Sequence, residues 1–246
     1  MSVIAVCSGK GSPGTTFAAI NLAAAMARAS EEVLLLDLDP AGGDVAAYLG
    51  LDTRRGIYPL LRMDNGIPQP GALLAEAEDR AGVHVVCGFP EASALSVSVD
   101  LLAHSVRNAG DDRPVVCDLG RVTAGGARVA ARCDLVLLVV RPDLVSVLGA
   151  ERALRLLESE GVARDRVSVL LSGAERRRPA DLTEVGNALG RDVLASTPIH
   201  RRSARKALLS QMPISKGPIA RAFDGLATGI NARINCVDEP KEVAVA

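Results

Sequence analysis

The sequence predicts an α/β fold: a single doubly wound, mostly parallel sheet with helices on both faces. Two observations carry that expectation. Seven short apolar runs recur along the 246 residues, at 3–7, 33–37, 83–87, 114–118, 134–140, 166–171 and about 192–196. Most are continuous rather than alternating in polarity, as strands buried on both faces are. Stretches with helical spacing separate them, at about 15–29, 98–108, 124–131, 144–160, 180–189 and 217–232. That alternation is the rhythm of βαβ units with right-handed crossovers.

Taken in order, the first run is Val3-Ile4-Ala5-Val6-Cys7, and it leads into the Gly-rich segment Ser8 to Thr16. A helix follows from near Thr15, because Thr16, Ala19, Ala23 and Ala27, and likewise Leu22 and Met26, recur at helical spacing. The second run, Val33 to Asp37, opens onto Asp37-Leu38-Asp39-Pro40-Ala41-Gly42-Gly43-Asp44. Residues 51–80 are the least regular, with Asn65-Gly66-Ile67-Pro68-Gln69-Pro70-Gly71 inside them, and read as a surface excursion carrying short helices. The run Pro114-Val115-Val116-Cys117 closes on Asp118. Residues 1–234 are expected to form one domain and 235–246 a flexible tail.

Composition narrows the function classes. The chain is 48% hydrophobic, enough for a sizeable core, yet no apolar run approaches the roughly 20 residues of a membrane span. No charged segment precedes an apolar one as in a secretory signal, so a cytoplasmic location is expected. A formal charge of −1 exerts no global pull on nucleic acid or anionic lipid. The five cysteines are scattered without a C-x-x-C pair and read as buried, reduced thiols. Aromatic residues make up 2% of the chain and tryptophan is absent, which argues against a base-stacking platform. His84, His104 and His200 match no metal-ligand spacing.

The chemistry gathers at the carboxyl ends of the strands, where open parallel sheets bind ligands. A Gly-rich turn between a strand and a helix cradles phosphate, since backbone N–H groups and the positive helix end converge there. Gly9-x4-Gly14-x-Thr16 has the spacing of a P-loop, but Thr15 stands where that motif demands lysine, and a different lysine, Lys10, lies inside the loop. Alternation puts Asp37 and Asp39 on one side of the second strand's end, and Asp118 ends another strand. Carboxylates around a phosphate loop repel one another unless a cation joins them, and Mg²⁺ is the economical choice.

These residues resemble a known family. Lys10-Gly11-Ser12-Pro13-Gly14-Thr15-Thr16 is similar to the deviant P-loop of the MinD/ParA class of ATPases, Leu36-Asp37-Leu38-Asp39-Pro40 to that class's second motif, and Cys133 to Pro142 to its strand after the Walker-B carboxylate. Residues 37–52 look most like the CpaE/TadZ pilus-assembly proteins. The resemblance covers most of 2–232. It implies ATP and Mg²⁺ as cofactors, a nucleotide-sandwich homodimer, and a partner such as pilus or polar machinery. It implies that the loop from Gly9 through Thr16 and Phe17 binds nucleotide, and that Lys10 reaches the partner's phosphates. Thr16, Asp37 and Asp118 would serve the metal and Asp39 would orient the attacking water.

The chain departs from the pattern at three places. Thr15 removes a phosphate-binding charge, Pro13 removes an N–H donor, and Ser172-Gly173 stands where family members often present asparagine to adenine. A weak ATPase or a non-enzymatic scaffold with a degenerate nucleotide site are both consistent with these changes. Arg201, Arg202, Arg205 and Lys206 form a basic helical stripe after Pro198, with Arg176 to Arg178 as an extension. It is a solvated face or a nonspecific DNA contact of the ParA kind. The acidic tail, interrupted by Pro240, lacks the basic amphipathic face of a membrane anchor.

Overall fold

The computed structural model describes residues 2–11, 13–29, 32–39, 43–52, 56–57, 71–88, 102–104, 106, 109, 113–174 and 180–238. The strands are β1 (Val3–Ser8), β2 (Val33–Asp37), β3 (Glu78–Arg80), β4 (Val83–Val86), β5 (Val115–Arg121), β6 (Leu135–Val140), β7 (Val167–Ala174) and β8 (Val193–Pro198). The helices are α1 (Thr15–Ala29), α2 (Val45–Leu49), α3 (Ala72–Glu76), α4 (Ala124–Ala130), α5 (Leu144–Ser159), α6 (Ala180–Leu189), α7 (Arg201–Ser210) and α8 (Pro218–Asp238).

The eight strands form one sheet in the order β3-β4-β2-β5-β1-β6-β7-β8. Every pairing is parallel except β3 with β4. The predicted doubly wound sheet is therefore present, and β1 lies inside it between β5 and β6. The loop that leaves β1 is flanked on both sides by strand ends.

Each face of the sheet has its own core. Val3, Ala5 and Cys7 of β1 point to one side, where α4, α5 and α6 cover them; Ile4 and Val6 point to the other, beneath α1 and α8. Burial on both faces is the reason the strand sequences are uninterrupted apolar runs. Cys7, Cys87, Cys117 and Cys133 are buried free thiols, and burial pushes the Cys7 thiol up to about 12.

The structure extends or corrects several predicted elements. β5 runs on to Arg121 and β7 to Ala174, past the predicted ends at 118 and 171. Both extensions cross glycines, Gly120 and Gly173, that carry no hydrophobic signal. β3, Glu78-Asp79-Arg80, has no apolar signature at all. It exists because the two-residue turn Ala81-Gly82, with both residues at positive φ, folds it back onto β4 at the sheet edge. The basic stretch after Pro198 is a full helix, α7, and α8 continues to Asp238 rather than stopping near 232. Ser12, Pro40 to Gly42, most of the 51–80 excursion, most of 98–108, Arg176 to Arg178 and residues 239–246 lie outside the described residues.

Asn21 ties the helical layer together. Its Nδ2 donates to the Phe17 carbonyl at 2.8 Å, and its Oδ1 accepts the Ile214 N–H at 2.8 Å. The residue is buried, so this contact satisfies a backbone donor 193 positions away that water does not reach. Asn21→Ala is expected to cost about 1–3 kcal/mol, the scale of an orphaned buried donor. Urea unfolding with an unchanged slope measures it, and a loss below a few tenths would show that Ile214 finds another acceptor.

Candidate functional site

The phosphate-type loop is held from below and from the side. The Ser8 hydroxyl donates to the Lys10 carbonyl at 2.8 Å and lies 3.3 Å from the Gly120 carbonyl, joining the end of β1 to the end of β5. Gly9 presses on α5: a β-carbon there would stand 2.1 Å from the Gly149 carbonyl oxygen, so only glycine fits. Gly14, at φ +96°, turns the chain into α1, and its carbonyl accepts the Ala18 N–H at 2.9 Å. The N–H groups of Thr15, Thr16 and Phe17 open that helix and have no partner within it, which makes this end an anion acceptor. The Phe17 ring packs edge-on against Phe223, 6.3 Å between centroids. Thr15 is buried, so it stands where the motif has lysine without offering a charge.

Beside the loop, Asp37 and Asp118 are register partners on adjacent parallel strands, and neither is exposed to solvent. Asp37 is enclosed by glycines. A β-carbon at Gly43 would lie 2.2 Å from its Oδ2, and one at Gly88 2.9 Å from its Cγ. Its two oxygens accept backbone N–H groups, from Asp39 at 3.3 Å and from Val45 at 3.2 Å. Asp37 thereby shapes the turn after β2, a use of both oxygens that the sequence did not reveal. Asp118 accepts the Gly120 N–H at Oδ1, 3.0 Å, while its Oδ2 is buried without a hydrogen-bond partner. Asp39 lies over the same strand end, because a β-carbon at Gly120 would stand 1.9 Å from its Oδ2.

This arrangement is electrostatically unfinished. Burial, and secondarily the Asp118 charge, hold the Asp37 carboxyl well above the usual carboxylate range. Burial pushes Asp118 up to about 6, with Asp39 and Asp44 adding to the rise, although the Thr16 hydroxyl and the Gly120 N–H favour its ionised form. A buried carboxylate oxygen lacking a partner, beside the hydroxyl of Thr16, fits a divalent cation. Among the described residues no three His, Cys, Asp or Glu side chains gather as a protein-only metal cage. A carboxylate and a hydroxyl oxygen are hard donors of the kind that suit Mg²⁺, which keeps waters and phosphate oxygens in its shell.

Two residues at the rim were not singled out as site residues from sequence. Asp143 caps α5, its Oδ1 accepting the Ser146 N–H at 2.8 Å, and the same oxygen lies 3.7 Å from Lys10 Nζ. Arg141 Nε lies 3.8 Å from Asp143 Oδ2, and its backbone N–H donates to the Ser146 hydroxyl at 2.9 Å. The available signal was positional: Arg141-Pro142-Asp143 follows directly on the apolar run of β6. Lys10, Thr16, Asp37, Asp39 and Asp118 thus gather at one end of the sheet. Ser172 joins them, its Oγ 3.5 Å from where a Gly14 β-carbon would be. Arg201, Arg202, Arg205 and Lys206 are exposed on α7. His84 is half-buried in β4, and His200 caps α7, its Nδ1 accepting from the Ser203 N–H.

A Gly-rich loop, a helix N-terminus and buried strand-end carboxylates define a phosphate-binding α/β domain. The chain belongs to the CobQ/CobB/MinD/ParA nucleotide binding domain family, whose model matches residues 4–214. It is 24% identical to the septum site-determining protein MinD of Thermotoga maritima over 94% of this chain and 82% of that protein. It is 34% identical to the chromosome-partitioning ATPase Soj of Thermus thermophilus over 71% of this chain and 62% of Soj. The ParA family ATPase of Chlorobium tepidum superposes with a TM-score of 0.82 at 18% identity, covering 92% of this chain and 98% of that one. Among the described residues no helix is long and apolar enough to cross a membrane.

The raised Asp118 pKa predicts a pH effect of definite sign. A carboxyl whose folded pKa of about 6 lies above its ordinary 3.8 binds its proton more tightly when folded, so its contribution to stability falls as pH rises between these values. At pH 7.5 the nucleotide-free Asp118→Asn protein should be more stable than wild type by roughly 3 kcal/mol, at about 1.4 kcal/mol per pKa unit. Thermal melts from pH 4 to 8 should show that advantage shrink toward pH 4. A variant less stable at every pH would contradict this account.

Proposed function

We propose that the chain is an ATP- and Mg²⁺-dependent switch of the MinD/ParA kind, with a deviant P-loop and a weak ATPase. The observation that carries this reading is the unpartnered, buried Oδ2 of Asp118 beside Thr16 at the foot of the loop. Loop N–H groups and the α1 terminus bind the phosphates, and Thr16 and Asp118 hold the cation, with Asp37 supporting them. Bound Mg²⁺ would supply neutralisation of the charge on the terminal phosphate oxygens. Asp39, above the end of β5, orients the attacking water. Lys10 reaches toward the phosphates of a second copy in a nucleotide-sandwich homodimer. The exposed Leu144 and Val145 on the first turn of α5, next to Asp143, supply apolar surface beside that lysine.

In this reading the output is the positioning of a partner in the cell. The resemblance of residues 37–52 to CpaE/TadZ proteins favours pilus-assembly machinery. Calorimetry and mass measurement with ATP, with and without Mg²⁺, test the switch, with Asp39→Ala alongside. Mg²⁺-dependent binding that doubles the mass, persisting longer in Asp39→Ala, is the expected outcome. No binding at millimolar ATP would instead establish a scaffold whose loop is vestigial, the reading that the uncharged Thr15 favours.

A second reading rests on α7. Arg201, Arg202, Arg205 and Lys206 are all exposed, and none makes an ion pair among the described residues. Nonspecific DNA binding there would be salt-sensitive and sequence-blind. Arg201→Ala/Arg205→Ala should then lower the salt slope of DNA retention by about 2, one per lost phosphate contact. Indifference to DNA at low salt would reject it.

A further inference from the structure

The loop lacks a lysine at position 15, yet two other cations stand at its rim, and one carboxylate holds both. Lys10 Nζ lies 3.7 Å from Asp143 Oδ1, and Arg141 Nε lies 3.8 Å from Asp143 Oδ2. These are long contacts between side chains that are 32%, 46% and 44% exposed, for Lys10, Arg141 and Asp143. Pairs of that kind hold weakly and yield to a stronger anion. Asp143 itself is committed, since the same Oδ1 caps α5 through the Ser146 N–H. The carboxylate is thus fixed, while the two cations are exchangeable.

The root of Arg141 is also fixed. Its N–H donates to the Ser146 hydroxyl at 2.9 Å. β6 runs parallel beside β1 with Ser8 opposite Val139, so Arg141 leaves the sheet two residues beyond the level where the loop begins. Its guanidinium extends toward β7, where Nη2 lies 4.0 Å from the position of a Gly173 β-carbon. The neighbouring Ser172 faces the Gly14 side of the loop, its Oγ 3.5 Å from where a Gly14 β-carbon would stand. Arg141 therefore spans the rim from the Lys10 side to the Gly14 side.

We propose that Arg141 is the phosphate-binding cation that takes the place of the missing loop lysine. In the nucleotide-free protein it rests on Asp143. With a triphosphate in the loop it transfers to the terminal phosphate oxygens, which a guanidinium grips through two parallel N–H donors. Lys10 is released from the same carboxylate and becomes available to the second copy. This inference rests on the nucleotide reading above and deepens it, because it names the part of the ligand that the chain senses.

Calorimetric titration with ATP, ADP and AMP, on wild type and on Arg141→Ala, Arg141→Lys, Asp143→Asn and Arg121→Ala, separates the outcomes. Arg121 ends β5 at the same edge and controls for loss of general positive charge. Arg141→Ala should weaken ATP roughly tenfold, the scale of one partly screened ion pair, weaken ADP less, and leave AMP unchanged. Arg141→Lys should recover part of the loss. Asp143→Asn keeps the α5 cap but frees both cations, and should tighten ATP several-fold. Equal losses for ATP, ADP and AMP would place Arg141 at the base or ribose and overturn the proposal, as would an effect carried by Arg121→Ala. Thermal melts of each variant separate misfolding from lost contact, and an ATP affinity unmoved in a folded Arg141→Ala protein also overturns it. If wild type binds none of the three nucleotides, the nucleotide reading itself fails and this proposal falls with it.

Discussion

The structure turns on two carboxylates forced together by sheet register. Asp37 and Asp118 sit opposite each other on β2 and β5, fully buried, where like charges would repel. Such a pair is costly unless hydrogen bonds or a cation relieve it. The protein meets part of the demand with backbone N–H groups on Asp37 and leaves Asp118 Oδ2 unmet. A buried carboxylate oxygen left unmet at the carboxyl end of a parallel strand marks a candidate functional position.

Close backbone packing sets the geometry around that pair. Gly9 against Gly149, Gly120 against Asp39, and Gly43 and Gly88 against Asp37 each exclude a β-carbon. These contacts lock the loop to α5 and the carboxylates to their strands. The loop and the first turn of α5 consequently share one rigid junction, with Lys10 and Asp143 meeting across it. Beside that junction, Leu144 and Val145 at the α5 terminus face solvent.

Membership in the nucleotide binding domain family matches this architecture, and the chain's own departures lie within it. The loop keeps its N–H donors at the start of α1, while a buried threonine, Thr15, stands where the deviant P-loop carries its second lysine. Positive charge is present at the rim instead, on Lys10 within the loop and on Arg141 at the approach to α5. The basic face of α7 is a separate feature, placed on a helix none of whose residues is buried.

How much of this was legible in the sequence depends on the range of the interaction. The parallel sheet, the helix opening at Thr15 and the strand-end positions of Asp37 and Asp118 follow from apolar runs and local spacing, because those signals are short-range. The edge strand β3 was not legible, since its three charged residues form a strand only by pairing across a turn. Nor were the roles of Gly149, Asp143 and Arg141, which depend on β6 lying beside β1 although more than 120 residues separate them in the chain. The sequence by itself determined which residue types end the strands and open the helix, because the local backbone demands them. Only the tertiary structure decided that Asp37 and Asp118 share one buried space, that Asp118 keeps an oxygen without a partner, and that a single carboxylate holds two cations at the loop's rim. Each of these is a property of strand order and packing, which no local stretch of chain encodes.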